Sequence, residues 1–144
     1  MKTTKILSFL LMSIFLFSFD GQAQESIVKA QSVDQKIEVI NFHSTRRCMT
    51  CNAIEANTKY TLETYFAAEL KSGVITQQTV NVELEENEKM AEKFQVTGTS
   101  LYLNVIKGGE EKQIDLSNFA FTKGKDKEAF SKDLAKKISK LLDK

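Results

Sequence analysis

The sequence predicts an α/β fold with the order β-α-β-α-β-β-α, a mixed four-stranded central sheet carrying helices on both faces. Three observations predict it. Runs rich in apolar and β-branched residues alternate with runs whose apolar residues recur every three or four positions, the signatures of strand and helix. Gly108-Gly109 separates two strand-like runs, and both positions tolerate the positive φ of a tight hairpin. The chain closes on an amphipathic stretch, residues 126–142. Strand–helix–strand units imply parallel pairs and the hairpin an antiparallel pair.

Residues 1–23 stand apart from this pattern. Lys2 and Lys5 give a positive start, Ile6 to Phe19 is an apolar run of 14 residues, and Gly21-Gln22-Ala23 places small residues where a signal peptidase cuts. The run is short of the roughly 20 residues a membrane span needs. The stretch reads as a secretory signal peptide cleaved after Ala23, so the mature protein is expected to be exported, periplasmic or extracellular, with no membrane attachment after cleavage. Residues 24–35 are polar with scattered apolar positions and read as an N-terminal arm.

The folded elements follow in order. Lys36 to His43 is a largely buried strand, with Ile37, Val39, Ile40 and Phe42 as its apolar set. Ser44 and Thr45 are candidate caps for the helix that follows. That helix runs from Cys48 to about Leu70, with Cys51, Ile54, Thr58, Leu62, Tyr65, Phe66 and Leu70 on one face, an i,i+4 pair of Glu55 with Lys59, and Ser72-Gly73 as its stop. Val74 to Val82 is β-branched and reads as a second strand. Glu83 to Phe94 gives a short surface helix and Thr97-Gly98-Thr99 a turn. Ser100 to Lys107 and Glu110 to Leu116 are the hairpin strands. Ser117 to Lys125 reads as a loop. Asp126 caps the last helix, whose stripe is Phe130, Leu134, Ile138, Leu141 and Leu142, and its lysine-rich face reads as solvated.

Composition narrows the function. The chain has 144 residues with a formal net charge of +1, and removing residues 1–23 leaves 18 basic and 18 acidic residues. Nothing marks a nucleic-acid binder of the basic-patch type. A chain of this size buries a working core, so its two cysteines are not needed as a staple.

Those cysteines, Cys48 and Cys51, are spaced C-x-x-C at a strand-to-helix junction. At a helix start the backbone N–H groups are unpaired and the dipole is positive, which favours thiolate over thiol, and Arg46 and Arg47 add positive charge. Cys48 is placed to attack a disulfide and Cys51, one turn on, to resolve the mixed disulfide. A purely structural disulfide closing so short a loop stabilises little. Zinc wants four ligands, whereas the chain offers two cysteines and one histidine, His43, which reads as a strand-end residue. A metal-handling or partner-binding module, with the cysteines as soft ligands shared across a partner, is the alternative reading. Covalent haem attachment is excluded because Asn52 follows Cys51.

Ile40-Asn41-Phe42 before the cysteine pair, Val80-Asn81-Val82-Glu83 with Asn87, Ala91, Lys93-Phe94, Val96 and Gly98, and the strand from Leu101 to the hairpin at Gly108 together resemble the thioredoxin superfamily. The resemblance makes residues 36–144 one thioredoxin-like domain. It implies a thiol–disulfide oxidoreductase or electron-transfer module, with no cofactor beyond the Cys48–Cys51 disulfide and a protein thiol/disulfide partner or redox partner subunit. The string Arg46-Arg47-Cys48-x-x-Cys51 also resembles a subfamily described as nitrophenyl compound nitroreductase subunit, ArsF type. No flavin or nicotinamide pattern accompanies it.

The sequence departs from the superfamily pattern in three places. The proline that faces the cysteines is replaced by Ser100. The Thr99–Ser100 bond is therefore expected to be trans, because a cis bond there costs about 3–4 kcal/mol. The Ser100 hydroxyl becomes available to a thiolate or a metal. The family's buried carboxylate is matched by Asn41, whose amide cannot accept a proton at neutral pH. The tryptophan before the first cysteine is matched by Arg47.

Overall fold

The structure is a computed structural model and describes residues 35–143. The expected signal peptide, and all of the expected arm except Gln35, lie outside the described residues. Strands β1 (Gln35–His43), β2 (Ile75–Asn81), β3 (Ser100–Lys107) and β4 (Glu110–Asp115) form one sheet in the order β2-β1-β3-β4. The helices are α1 (Met49–Tyr65), α2 (Ala67–Ser72), α3 (Glu88–Phe94), α4 (Ser117–Lys123) and α5 (Lys127–Leu141). The expected mixed four-stranded α/β architecture is what the structure has.

Strand directions differ in one respect from the expectation. β1 and β2 are parallel, but β1 and β3 are antiparallel, as are β3 and β4. Two strand–helix–strand units therefore give one parallel pair. His43 pairs with Asn81, and Phe42 pairs with Ser100, so β2 ends and β3 begins at the same end of the sheet. The connection between them carries a helix of only seven residues, α3. At 1.5 Å per residue it spans about 10 Å and turns back where it started.

Alternation along β1 divides the core. Ile37 and Val39, opposite Val105 and Leu103, join Ile54, Leu62, Phe130, Leu134 and Ile138 of α1 and α5. Ile40 and Phe42 face the other way, onto Val80, Ala91, Phe94 and Val96. Phe42 lies 5.3 Å from the Phe94 ring and 5.9 Å from that of Tyr102, the latter edge-on. The two sheet edges are polar. β4 is Glu-Glu-Lys-Gln-Ile-Asp, with every residue but Ile114 exposed, which discourages pairing with another chain. At the hairpin Gly108 and Gly109 adopt φ of 59° and 85°, the conformation expected of them.

Two expected elements are redrawn. The single helix from Cys48 to Leu70 breaks at Phe66 (φ −134°, ψ 30°), with no proline or glycine at the break. Phe66 is buried in the main core, and a straight continuation of α1 would carry the chain on without bringing α2 back to β2. Tyr65, expected on the buried face, is 53% exposed, while Asn57 and Thr61 take buried positions. They are tolerated there because Asn57 Nδ2 donates to the Gly124 carbonyl at 2.9 Å and Thr61 Oγ1 donates to the Asn57 carbonyl at 2.7 Å. The expected loop from Ser117 is instead α4. Asp115 Oδ1 accepts from the Ser117 N–H at 2.7 Å, Ala120 is fully buried, and Phe119 stacks 5.1 Å from Phe130. α5 matches its predicted stripe, and Asp126 caps it through the Ala129 N–H at 3.0 Å.

Gly124 sets how closely the α4–α5 connection approaches α1. A β-carbon there would sit 2.6 Å from the Ala120 carbonyl oxygen and 2.8 Å from Ile54 Cγ1. Gly124→Ala is expected to destabilise the fold by about 1–3 kcal/mol, the usual range for overpacking, measurable as a lowered denaturant midpoint with unchanged m-value.

Candidate functional site

The cysteine pair sits where β1 hands over to α1. Cys48 is the N-cap of the helix in extended conformation (φ −81°, ψ 164°), and its Sγ accepts from the Cys51 N–H at 3.1 Å. The capping sulfur takes the place expected for Ser44 or Thr45. It meets the same requirement, because an N-cap needs an acceptor aimed at the free N–H groups of the first turn. Cys48 and Cys51 form a disulfide, with Cα atoms 5.1 Å apart. Cys48 is exposed and Cys51 half-buried. The neighbouring Met49 is 83% exposed. The first turn of α1 holds no acidic residue that would oppose a thiolate at Cys48.

Arg46 and Arg47 differ in situation. Arg46 is exposed. Arg47 Nη1 lies 2.5 Å from Glu55 Oε2, so its charge is largely answered within α1. This replaces the expected Glu55–Lys59 pair; Lys59 pairs instead with Glu63 at 3.8 Å. The positive charge near the pair that Glu55 does not answer is that of Arg46, which also acts on Glu83.

A hydrogen-bonded network that sequence reasoning missed holds the connection in front of Cys48. Glu83 Oε2 accepts from the Thr45 N–H at 3.1 Å. Asn81 Nδ2 donates to Thr45 Oγ1 at 3.0 Å, and Asn81 Oδ1 accepts from the Glu83 N–H at 3.1 Å. Asn87 Nδ2 donates to the Asn81 carbonyl at 2.9 Å. The only sequence signal was the Val80-Asn81-Val82-Glu83 string, which carries no information about what its side chains bond. Thr45, through its hydroxyl and its backbone N–H, holds the Glu83 carboxyl below its ordinary value, with smaller help from Ser44 and Arg46. A lowered carboxylate pKa stabilises the fold above the unfolded value and loses that contribution as pH falls. Glu83→Gln is therefore expected to lower the unfolding temperature at pH 7, with the gap to wild type narrowing as the pH is taken from 6 to 3. Thermal unfolding across that range checks it.

Asn41 lies on the α1 face of β1 and is buried. Thr58 Oγ1 approaches its Oδ1 at 3.5 Å, and its Nδ2 has no hydrogen-bond partner among the described residues. Ser100 opens β3 opposite Phe42, which puts it on the α3 face rather than on that of Asn41. Its Oγ approaches the Gly98 carbonyl at 3.4 Å. Among the described residues no peptide bond is cis, so Thr99–Ser100 is trans. The 97–99 turn lies against the connection before Cys48: a β-carbon at Gly98 would be 3.7 Å from Ser44 Oγ. The structure thus brings Cys48, Cys51, Arg46 and Arg47 together at the start of α1 and sets Gly98 against Ser44 in the connection before them, with Asn41 beneath α1.

Among the described residues no group of three or more His, Cys, Asp and Glu side chains is arranged to hold a metal ion, and no helix is long and apolar enough to cross a membrane.

No protein-family model matches the sequence, and no curated protein matches it. Solved structures do match it, among them the following two. A thioredoxin of Fasciola hepatica shares 22% identity at a TM-score of 0.38, over 55% of this chain and 66% of that one. A structure described as that of a malarial protein shares 19% identity at a TM-score of 0.39, over 61% of this chain and 94% of that one.

Proposed function

We propose that the protein is a thiol–disulfide oxidoreductase or electron-transfer module of thioredoxin type. Cys48 is the attacking thiol and Cys51 the resolving thiol. The observation that carries the reading is the asymmetry of the pair: an exposed sulfur capping a 17-residue helix, with its half-buried partner one turn on. Helix N-termini of this kind lower a cysteine pKa from about 8.5 into the range of roughly 3.5–7.5, which supplies the attacking thiolate at neutral pH.

Arg46 biases the site further toward the thiolate and toward an anionic partner surface, while Arg47 is occupied by Glu55. In this reading the protein works after export, in a compartment where disulfides form, on a protein disulfide or dithiol. The resemblance of Arg46-Arg47-Cys48-x-x-Cys51 to the ArsF-type subunits makes a redox subunit the partner this reading proposes. The experiment is reduction of insulin by dithiothreitol with and without the protein. A rate well above the dithiothreitol background supports the reading, and a rate equal to background refutes it.

A further inference from the structure

We propose that His43 is the proton carrier of the cysteine pair, in the position functionally left empty by the buried amide of Asn41. The proposal rests on the thiol–disulfide reading above. Resolution of a mixed disulfide requires the Cys51 thiol to lose its proton as its sulfur attacks. Asn41, buried beneath α1, cannot take that proton.

Placement points to His43, the one histidine of the chain. Along β1, Ile37, Val39 and Asn41 face α1, and the two-residue period of a strand puts His43, the last residue of β1, next in that row. α1 joins two parallel strands, so it runs back against the direction of β1. Thr58 of α1 meets Asn41. Cys51 lies seven residues earlier, about 10 Å toward the helix start. His43 lies two residues later along β1, about 7 Å in the same direction. Both are therefore displaced from Asn41 toward the same end of the sheet.

The ring is also set in one tautomer. His43 Nδ1 lies 2.9 Å from the Ser44 carbonyl oxygen, which only accepts, so Nδ1 carries the hydrogen and Nε2 of the neutral ring holds a free lone pair. The other charged groups near this end of the sheet are engaged or unsuited. Glu55 on α1 is paired with Arg47, and Glu83 beyond β2 is held by Thr45. Arg46 and Arg47 do not release protons. Lys123 and Lys125 flank Gly124, where the α4–α5 connection meets α1. The neighbours on β3, Ser100 and Leu101, carry no charge. Imidazole is the side chain that exchanges a proton near neutrality.

The Cys48 thiolate attacks a partner disulfide, forming a mixed disulfide and releasing one partner thiolate. His43 Nε2 takes the Cys51 proton, and Cys51 Sγ attacks Cys48 Sγ. The second partner sulfur leaves as thiolate, and the protons from Cys51 and from solvent convert the partner to a dithiol. Two electrons have passed from the cysteine pair to the partner disulfide.

The test uses the full mature chain. A mixed disulfide is formed at Cys48 with glutathione, and its resolution by Cys51 is timed against pH for wild type, His43→Gln and His43→Asn, with iodoacetamide alkylation of Cys48 measured in parallel. The expected result is resolution slowed on the order of 100-fold at pH 7 in both variants, with partial rescue by added imidazole. Cys48 alkylation should change less than about threefold, since general acid–base help acts on the Cys51 step. Resolution unaltered in the variants, or slowed without imidazole rescue, overturns the proposal while leaving the thiol–disulfide reading intact. Should either variant unfold, proton NMR of wild type decides: the His43 titration midpoint must differ between the dithiol and disulfide forms, and identical titrations overturn the proposal. Failure of wild type to resolve the mixed disulfide at all overturns both.

Discussion

Replacing Cys48 by serine should reduce catalysed disulfide exchange to the uncatalysed background, while Cys51→Ser should retain the first attack and accumulate a mixed disulfide with the substrate. Thiolate is the nucleophile in this chemistry, and a serine hydroxyl is not ionised at neutral pH, so the helix N-terminus has no anion to stabilise in the variant. In the proposed reading exposed Cys48 attacks first and half-buried Cys51 resolves. Stability should respond far less than activity. Closing a four-residue loop contributes about 2 kcal/mol in the chain-entropy model, against about 3 kcal/mol for a 15-residue loop. Activity by insulin reduction and mixed disulfide by mass spectrometry check the pair of variants. Equal turnover by wild type and Cys48→Ser would remove Cys48 from its assigned role.

The largest effect on stability is expected at Phe42. Its side chain is 1% exposed and packs on Phe94 and Tyr102 in the smaller of the two cores. Phe42→Ala should cost about 3–5 kcal/mol, the range for removing a buried aromatic ring and leaving a cavity. Total stabilities of domains are about 5–15 kcal/mol, so this one ring accounts for a large share. The unfolding temperature should fall by roughly 10–20 °C. Phe42 also stands between Asn41 and His43 and pairs with Ser100, so its loss should loosen the end of β1 that leads to Cys48. Phe42→Leu, which keeps much of the apolar volume, should lose less. Denaturant unfolding monitored by circular dichroism separates the two variants.

How much of this was legible in the sequence depended on whether the controlling physics was local. The β3–β4 hairpin was, since two adjacent glycines at positive φ and flanking apolar runs specify it without help from the rest of the chain. The cap and stripe of α5 were legible for the same reason. The direction of β3 relative to β1 was not. A strand–helix–strand pattern does not say whether the connection crosses the sheet or returns to the same end, and only the short span of α3 decides it here. The break at Phe66 escaped because no residue type there forbids helix; burial of its ring in the main core is a tertiary effect. α4 escaped because seven residues give too short a stretch for periodicity to register.

The site divides the same way. The spacing and placement of Cys48 and Cys51 were readable because helix-start chemistry is local. Capping by the Cys48 sulfur, the choice of Arg47 as partner of Glu55, and the Glu83–Thr45–Asn81 network depend on contacts between segments distant in sequence or on side-chain reach.

The central claim is that Cys48–Cys51 is an exchanging redox pair rather than a fixed crosslink. The most direct measurement is its reduction potential, obtained by equilibrating the protein in glutathione buffers and counting thiols. A two-electron transition is expected between about −270 and −120 mV, the range of redox-active cysteine pairs. A pair that stays oxidised until about −300 mV or below, as structural disulfides do, would contradict it.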